Sequence, residues 1–273
     1  MREKRKGKIG QFEFKGQHAD IGLRGLTSCT TIVTEFVGQV LKMFDDKFFQ
    51  LFPPPEELKK ENLKLSCDFL SQIVLTGNNL HQESAAVIAI EKRKTHNKSK
   101  ASTMSMFSKI LQGKDFSRCI YKISTSLSDN KHIKDLVIVN EDTLNKDNLK
   151  EYVLNFYAKF AEQGLDQDDV IFVSGAAWHT TCFFTKVRKG EKLYYLFDSA
   201  PARSLGGSKT LGTMEVHDNL NSVIGSLKLR WSISCFNFQE GNIYAVSTLS
   251  RIFDEELYIS LATKSWLSHR KLS

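Results

Sequence analysis

The sequence predicts an α+β protein, with a mainly helical first half followed by an antiparallel sheet. Before residue 168 apolar residues recur mostly at helical spacing. After it come the short runs "DVIFVSG", "WHTTCFFTKV", "KLYYLFDSA" and "RWSISCFNF". These are rich in β-branched and aromatic residues and separated by turn-like pieces such as "RKGE". A third observation sets the scale. A chain of 273 residues, 41% hydrophobic and 25% charged, can bury a substantial core, and no Pro/Gly-rich linker divides it. One domain spanning 1–273 is expected.

In chain order, "LRGLTSCTTIVTEFVGQVL" (23–41) passes from a glycine-containing loop into a helix. Ile32, Val33, Phe36, Val37, Val40, Leu41 and Phe44 form one apolar stripe at the 3.6-residue period. Thr27 or Ser28 is placed to cap it with a side-chain oxygen. "PPPEELKKENLKLSCDFLSQIVL" predicts a second helix, opened by proline and acids and ended by Gly77. Further helices are expected over Glu83–Arg93, Thr103–Leu111 and Asn148–Glu162, the last stopped by Gly164, and over "RIFDEELYISLATKSWL" near the C-terminus. The stretch from about 76 to 168 reads as a helical insertion. Among the later strands, "WHTTCFFTKV" and "KLYYLFDSA" are expected to form a hairpin.

Composition narrows the function classes. No apolar run approaches the roughly 20 residues of a membrane span. "MREKRKGKIG" has charge without an apolar core behind it, so no secretory signal is expected. Five widely spaced cysteines without a CxxC pair point to reduced thiols in the cytosol or nucleus, and to neither a disulfide framework nor a zinc site. No cofactor or metal is expected. The net charge of +7 gathers at Arg2–Lys8 and in "EKRKTHNKSK" (91–100), read as a solvated tail and loop, so nucleic acid is not the expected partner.

Cys29 falls where loop becomes helix, and a cysteine nucleophile acts as thiolate. A helix N-terminus and a neighbouring imidazolium both favour that form. Of seven histidines, His179 stands apart because it opens a strand whose hairpin partner returns to Asp198. With the turn centred on Lys189, the carboxylate of Asp198 is expected to accept the Nδ1–H of His179 and leave Nε2 facing the thiol. Singly, His179 is an ordinary strand residue and Asp198 a turn former; with Cys29 they predict a triad. Gln17, twelve residues before Cys29, is the expected oxyanion-hole donor beside the backbone N–H of Cys29, with Gln11 as the alternative. Cys182 reads as core, on the sheet face opposite His179. Cys67, Cys119 and Cys235 read as packing residues, and His217–Asp218 is a rival imidazole–acid pair.

The order Cys, His, Asp resembles the papain-like cysteine peptidases. "GQ…GLTSCTTIVTEFV" with "SGAAWHTTCFF…YYLFDS" is most similar to the deubiquitinase domain of herpesvirus large tegument proteins and its cellular relatives. The resemblance covers some 60 residues and leaves the middle section unmatched. It implies a nucleophile-bearing helix packed on an antiparallel sheet that carries the histidine and aspartate. It also implies hydrolysis after the C-terminal glycines of ubiquitin or a ubiquitin-like modifier, with Trp178 as one wall of the tail channel. The tegument enzymes carry Asp-x-His in the "FD" segment, whereas Asp198 is followed by Ser199 and Ala200. The base is therefore assigned to His179, one strand earlier. Two other readings stay open: an acyltransferase or transglutaminase-like enzyme with the same triad, and a non-enzymatic basic binding module.

Overall fold

A computed structural model describes residues 7–17, 28–95, 136–162, 166–176, 179–200, 211–231 and 240–248. It is α+β. Strands β1 (Lys8–Lys15), β2 (Leu136–Asn145), β3 (Ile171–Ala176), β4 (His179–Arg188), β5 (Glu191–Asp198), β6 (Leu211–His217) and β7 (Glu240–Thr248) form one sheet in the order β1-β6-β5-β4-β3-β7-β2. Every neighbouring pair is antiparallel. The helices are α1 (Cys29–Leu41), α2 (Asp45–Leu51), α3 (Lys60–Thr95), α4 (Leu149–Glu162) and α5 (Leu220–Trp231).

Strand alternation splits the core in two. Ile171, Val173, Cys182, Phe184, Tyr195 and Phe197 join α1, α2 and α3 on one face. Phe172, Phe183 and Leu196 point the other way, against Leu149, Val153 and Phe160 of α4 and Val223, Leu227 and Trp231 of α5. The helix stripe expected after Cys29 is buried from Ile32 to Leu41, while Phe44 lies beyond the helix end and is exposed.

The β4–β5 hairpin forms as its sequence predicts. Lys189 and Gly190 both have positive φ, and Arg188 pairs with Glu191 across them. Two left-handed central residues give the tight turn whose twist matches the flanking strands. The register runs back to Cys182 opposite Phe197. Continued one residue further it sets Thr181 opposite Asp198, so His179, two residues before Thr181, lies diagonally across from Asp198 and within reach of its side chain.

Several expectations change. Gly77 does not end a helix, because α3 runs through it from Lys60 to Thr95. A Cβ on Gly77 would lie 2.5 Å from the Ile32 Cα, so the glycine serves a close crossing of α3 over α1. The prolines precede α3 in a 3₁₀ turn, Pro55–Glu57. The first half is not purely helical, since β1 lies at one edge of the sheet. Within 76–168, β2 pairs with β7 and α4 fills the second core. Arg230 and Trp231 belong to α5, not to a strand. The remainder of the "RWSISCFNF" segment, the helix expected over Thr103–Leu111 and the C-terminal helix lie outside the described residues.

Candidate active site

Cys29 is the first residue of α1 and is buried. Ser28 occupies the cap position with helical backbone angles, and its hydroxyl makes no capping bond. It donates instead to Asn78 Oδ1 of α3 at 2.5 Å. The expected side-chain cap is thus replaced by a tie between helices. Gly77 and Asn78 are adjacent, so one turn of α3 contacts both Ile32 and Ser28 and fixes where α1 begins.

Phe36, two turns along α1, stacks on Phe197 of β5 with centroids 4.1 Å apart and planes 4° from parallel. It also meets Phe184 of β4 at 5.9 Å. Phe197 immediately precedes Asp198, so the aromatic contact sets α1, which begins at Cys29, against the strand that carries Asp198.

The three residues come together at the end of the sheet where β4 begins and β5 stops. His179 Nε2 lies 2.6 Å from Asp198 Oδ1, and His179 is also hydrogen-bonded to the Cys29 thiol. The nitrogen at Asp198 is Nε2, where the sequence expectation had Nδ1. Asp198 is diagonal to His179 and is reached by the far nitrogen Nε2. Thr180, the next residue along β4, faces α1. Its hydroxyl lies 3.8 Å from Cys29 Sγ and 3.0 Å from Thr30 Oγ1.

Charge states follow from these contacts. Burial alone would raise the Cys29 thiol, but the hydrogen bond and charge of His179, with both hydrogen bonds from Thr180, outweigh it and hold the thiol below its ordinary value. Burial works against an imidazolium at His179 too, yet the charge and hydrogen bond of Asp198, with Cys29, raise it to about 10. Asp198 is fully buried. Desolvation would raise its carboxyl, but His179 and then Arg230 hold it down at about 2. These shifts all act toward a thiolate–imidazolium pair over an ionised aspartate.

Asp198 is held on both oxygens. The backbone N–H of Ala200 donates to Oδ1 at 3.0 Å, and Arg230 Nε of α5 donates to Oδ2 at 2.7 Å. Arg230, Thr180, Ser199 and Asn78 were not anticipated from sequence. Ser199 bears on Gln17, since its hydroxyl donates to Gln17 Oε1 at 3.2 Å and its carbonyl accepts from the Gln17 N–H at 2.9 Å. Gly16 makes that approach possible, because a Cβ there would come within 2.8 Å of the Ser199 carbonyl oxygen. Gln17 is thereby buried and tied to the strand end that carries Asp198.

Gln11 lies on β1 among Lys8 and Glu13, bonded to both, which removes it as the oxyanion alternative. The His217–Asp218 pair does not form. His217 is buried against Ser222 and Glu215, while Asp218 is exposed. Cys182 is in the core on the α1 face, as expected. Trp178 lies outside the described residues. Among the described residues no cluster of His, Cys, Asp or Glu is placed to hold a metal ion, and no helix is long and apolar enough to cross a membrane.

The chain is similar in structure to the ubiquitin-specific protease encoded by a murine cytomegalovirus tegument protein, solved in complex with a ubiquitin-based suicide substrate. The two share 14% identity with a TM-score of 0.45, over 94% of this chain and 95% of that chain. No family model matches the chain, and no curated protein matches it.

Proposed function

We propose that this protein is a cysteine peptidase that cleaves peptide or isopeptide bonds after the C-terminal glycines of ubiquitin or a ubiquitin-like modifier. The observation that carries the reading is the contact chain Cys29–His179–Asp198 at the start of α1. A thiol bonded to an imidazole, itself bonded to a fully buried carboxylate, is equipped for acyl transfer.

In the proposed reaction the Cys29 thiolate attacks the carbonyl carbon, and the negative charge moves to the carbonyl oxygen. The amide of Gln17 and the backbone N–H of Cys29 are the donors assigned to that oxygen. Collapse expels the lysine or α-amino nitrogen, which takes its proton from the His179 imidazolium. The neutral imidazole then removes a proton from water as the water attacks the thioester. Cys29 leaves as thiolate, the acid product is released, and the imidazolium is restored. Asp198 stays ionised throughout and holds the ring in place.

The choice of ubiquitin rests on the sequence resemblance around Cys29 and along the β4–β5 hairpin. Trp178, next to His179 in the chain, is assigned a wall of the channel for the glycine tail. A nuclear or cytosolic site of action fits the reduced thiols.

The test is labelling with a panel of modifiers bearing a C-terminal electrophile, with the adduct located by mass spectrometry. An adduct of a ubiquitin-type probe on Cys29, absent from Cys29→Ala, is the expected result. Labelling of Cys29 by small acyl donors, with no reaction toward any modifier probe, would replace the peptidase by an acyltransferase. Salt-dependent nucleic-acid binding by a chain whose Cys29 reacts with neither would leave the binding module.

A further inference from the structure

The candidate triad continues past Asp198 into a line of alternating charges that its chemistry does not require in principle. Arg230 Nε bonds Asp198 Oδ2 at 2.7 Å. From the same guanidinium, NH1 donates to the Ser226 carbonyl at 3.1 Å, and NH2 lies 3.5 Å from Glu215 Oε1. Glu215 Oε1 accepts in turn from Lys8 Nζ of β1 at 2.8 Å, and Oε2 lies 3.2 Å from His217 Nε2. Arg230 is 4% exposed. A buried cation between two carboxylates, with three of its edges occupied, cannot turn without breaking several bonds at once.

We propose that Arg230 is a positioning residue for the Cys29–His179 pair: it fixes the Asp198 carboxylate with Oδ1 toward His179, and Glu215 is the anchor that holds Arg230 in place. The proposal rests on the peptidase reading for the use of the site, and on geometry for its effect. His179 and the Ala200 N–H engage only Oδ1. Arg230 takes Oδ2, so the carboxylate plane has two fixed points and cannot swing to offer His179 its other oxygen.

The charged and titratable groups around Asp198 come from several elements. His179 and Cys182 lie on β4, Arg230 on α5, and Cys29 on α1 behind His179, with Glu215 of β6 beyond Arg230. Removing the Arg230 charge raises the pKa of Asp198, which it holds down directly, and reaches the Cys29 thiol through His179, whose charge and hydrogen bond lower that thiol. Both changes act in the same sense. The thiolate forms only at higher pH, and the support for the imidazolium is lost earlier on acidification.

The experiment measures the rate of iodoacetamide alkylation of Cys29 against pH, by mass spectrometry, in the full chain. It reads the thiolate directly and needs no modifier substrate. In Arg230→Gln the midpoint is expected to rise by about one pH unit and alkylation at neutral pH to fall several-fold. In Arg230→Lys the charge remains but the fork is lost, so the midpoint should stay within about 0.3 units of wild type while kcat on a modifier substrate falls about tenfold. Should Arg230→Gln fail to fold, Glu215→Gln serves in its place, with a fall in kcat expected because it loosens Arg230 without touching the triad. An unchanged midpoint in a folded Arg230→Gln, or an Arg230→Lys or Glu215→Gln as active as wild type, would overturn the proposal. An undepressed Cys29 midpoint in the wild type would instead remove the triad itself, and with it the proposed function.

Discussion

The α1 face and the α5 face of the sheet hold the same site by different means. On the α1 side the helix that begins at Cys29 is placed by packing: Phe36 on Phe197 and Phe184, and Gly77 against the Ile32 backbone. On the α5 side the acid is placed by charge, with Arg230 on Asp198 and Glu215 behind it. Packing is indifferent to pH and tolerates little change of volume. A buried ion pair is costly to assemble and more costly to leave half-made. Damage to the first face should therefore lower stability and activity together at every pH. Damage to the second should appear as a change in pH dependence.

The largest effect belongs to the residue both faces serve. Cys29→Ala should reduce turnover by roughly 10⁴-fold or more while the thermal midpoint moves little, since a small side chain at a helix end is lost. Turnover equal to wild type would end the peptidase reading. Next in size, Phe36→Ala should destabilise the fold by about 3–5 kcal/mol, because it empties an aromatic site with no exposed edge. Chemical denaturation measures this, and the loss should be the same at pH 6 and pH 8. A pH-dependent loss would mean that the packing face also carries charge coupling.

Asp198→Asn tests the other face. It should leave residual activity, lowered by roughly 10²-fold to 10⁴-fold, because an orienting acid contributes less than the nucleophile it serves. Its clearer mark is in stability against pH. The Asp198 carboxyl is held down at about 2 in the fold. Its contribution is present above the ordinary carboxylate range and is lost as pH falls toward about 2. His179 is raised to about 10. Its contribution is complete below its ordinary value and is lost as pH rises through about 10. These are two ends of one ion pair, so the wild type should show a plateau of thermal midpoint bounded by both declines. Asp198→Asn should flatten both. A variant that keeps the wild-type profile would place the pH dependence elsewhere.

The packing face was more legible in the sequence than the charge face. The stripe after Cys29 could be read because a helix repeats its contacts every turn. The β4–β5 hairpin could be read because the turn at Lys189–Gly190 falls between two strand-like runs, and a tight turn fixes register from sequence alone. That Nε2 and not Nδ1 meets Asp198 could not be read, since it depends on His179 being diagonal to Asp198 and not opposite it. Gly77 looked like a helix stop because nothing local shows that the backbone of another helix will cross there. Arg230 was hidden for a stronger reason. Its segment alternates like a strand, and only the packing of α5 on the sheet turns it toward Asp198. β1 was missed as well: its buried Phe12 and Phe14 alternate with polar residues, but the run is short and directly follows a basic stretch.

The smallest expected effect sharpens the comparison most, because Thr180 is a polar residue on the packing face. Its hydroxyl lies 3.8 Å from Cys29 Sγ and bonds Thr30 Oγ1 at 3.0 Å, and its backbone also donates to the thiol. Thr180→Val keeps the β-branched shape that suits the strand and keeps the backbone donor, and it removes only the hydroxyl. A long sulfur contact at 3.8 Å is a weak hydrogen bond. The thiolate midpoint should therefore rise by only about 0.3 units, and kcat/KM should fall about threefold, against about one unit for the loss of Arg230 charge. Thermal stability should change by less than about 1 kcal/mol, because Thr30 can turn its hydroxyl to another acceptor. If instead Thr180→Val moved the midpoint as far as Arg230→Gln, the thiolate would owe its stability to direct donors on the α1 face, and the charge line through Asp198 would be a matter of folding alone.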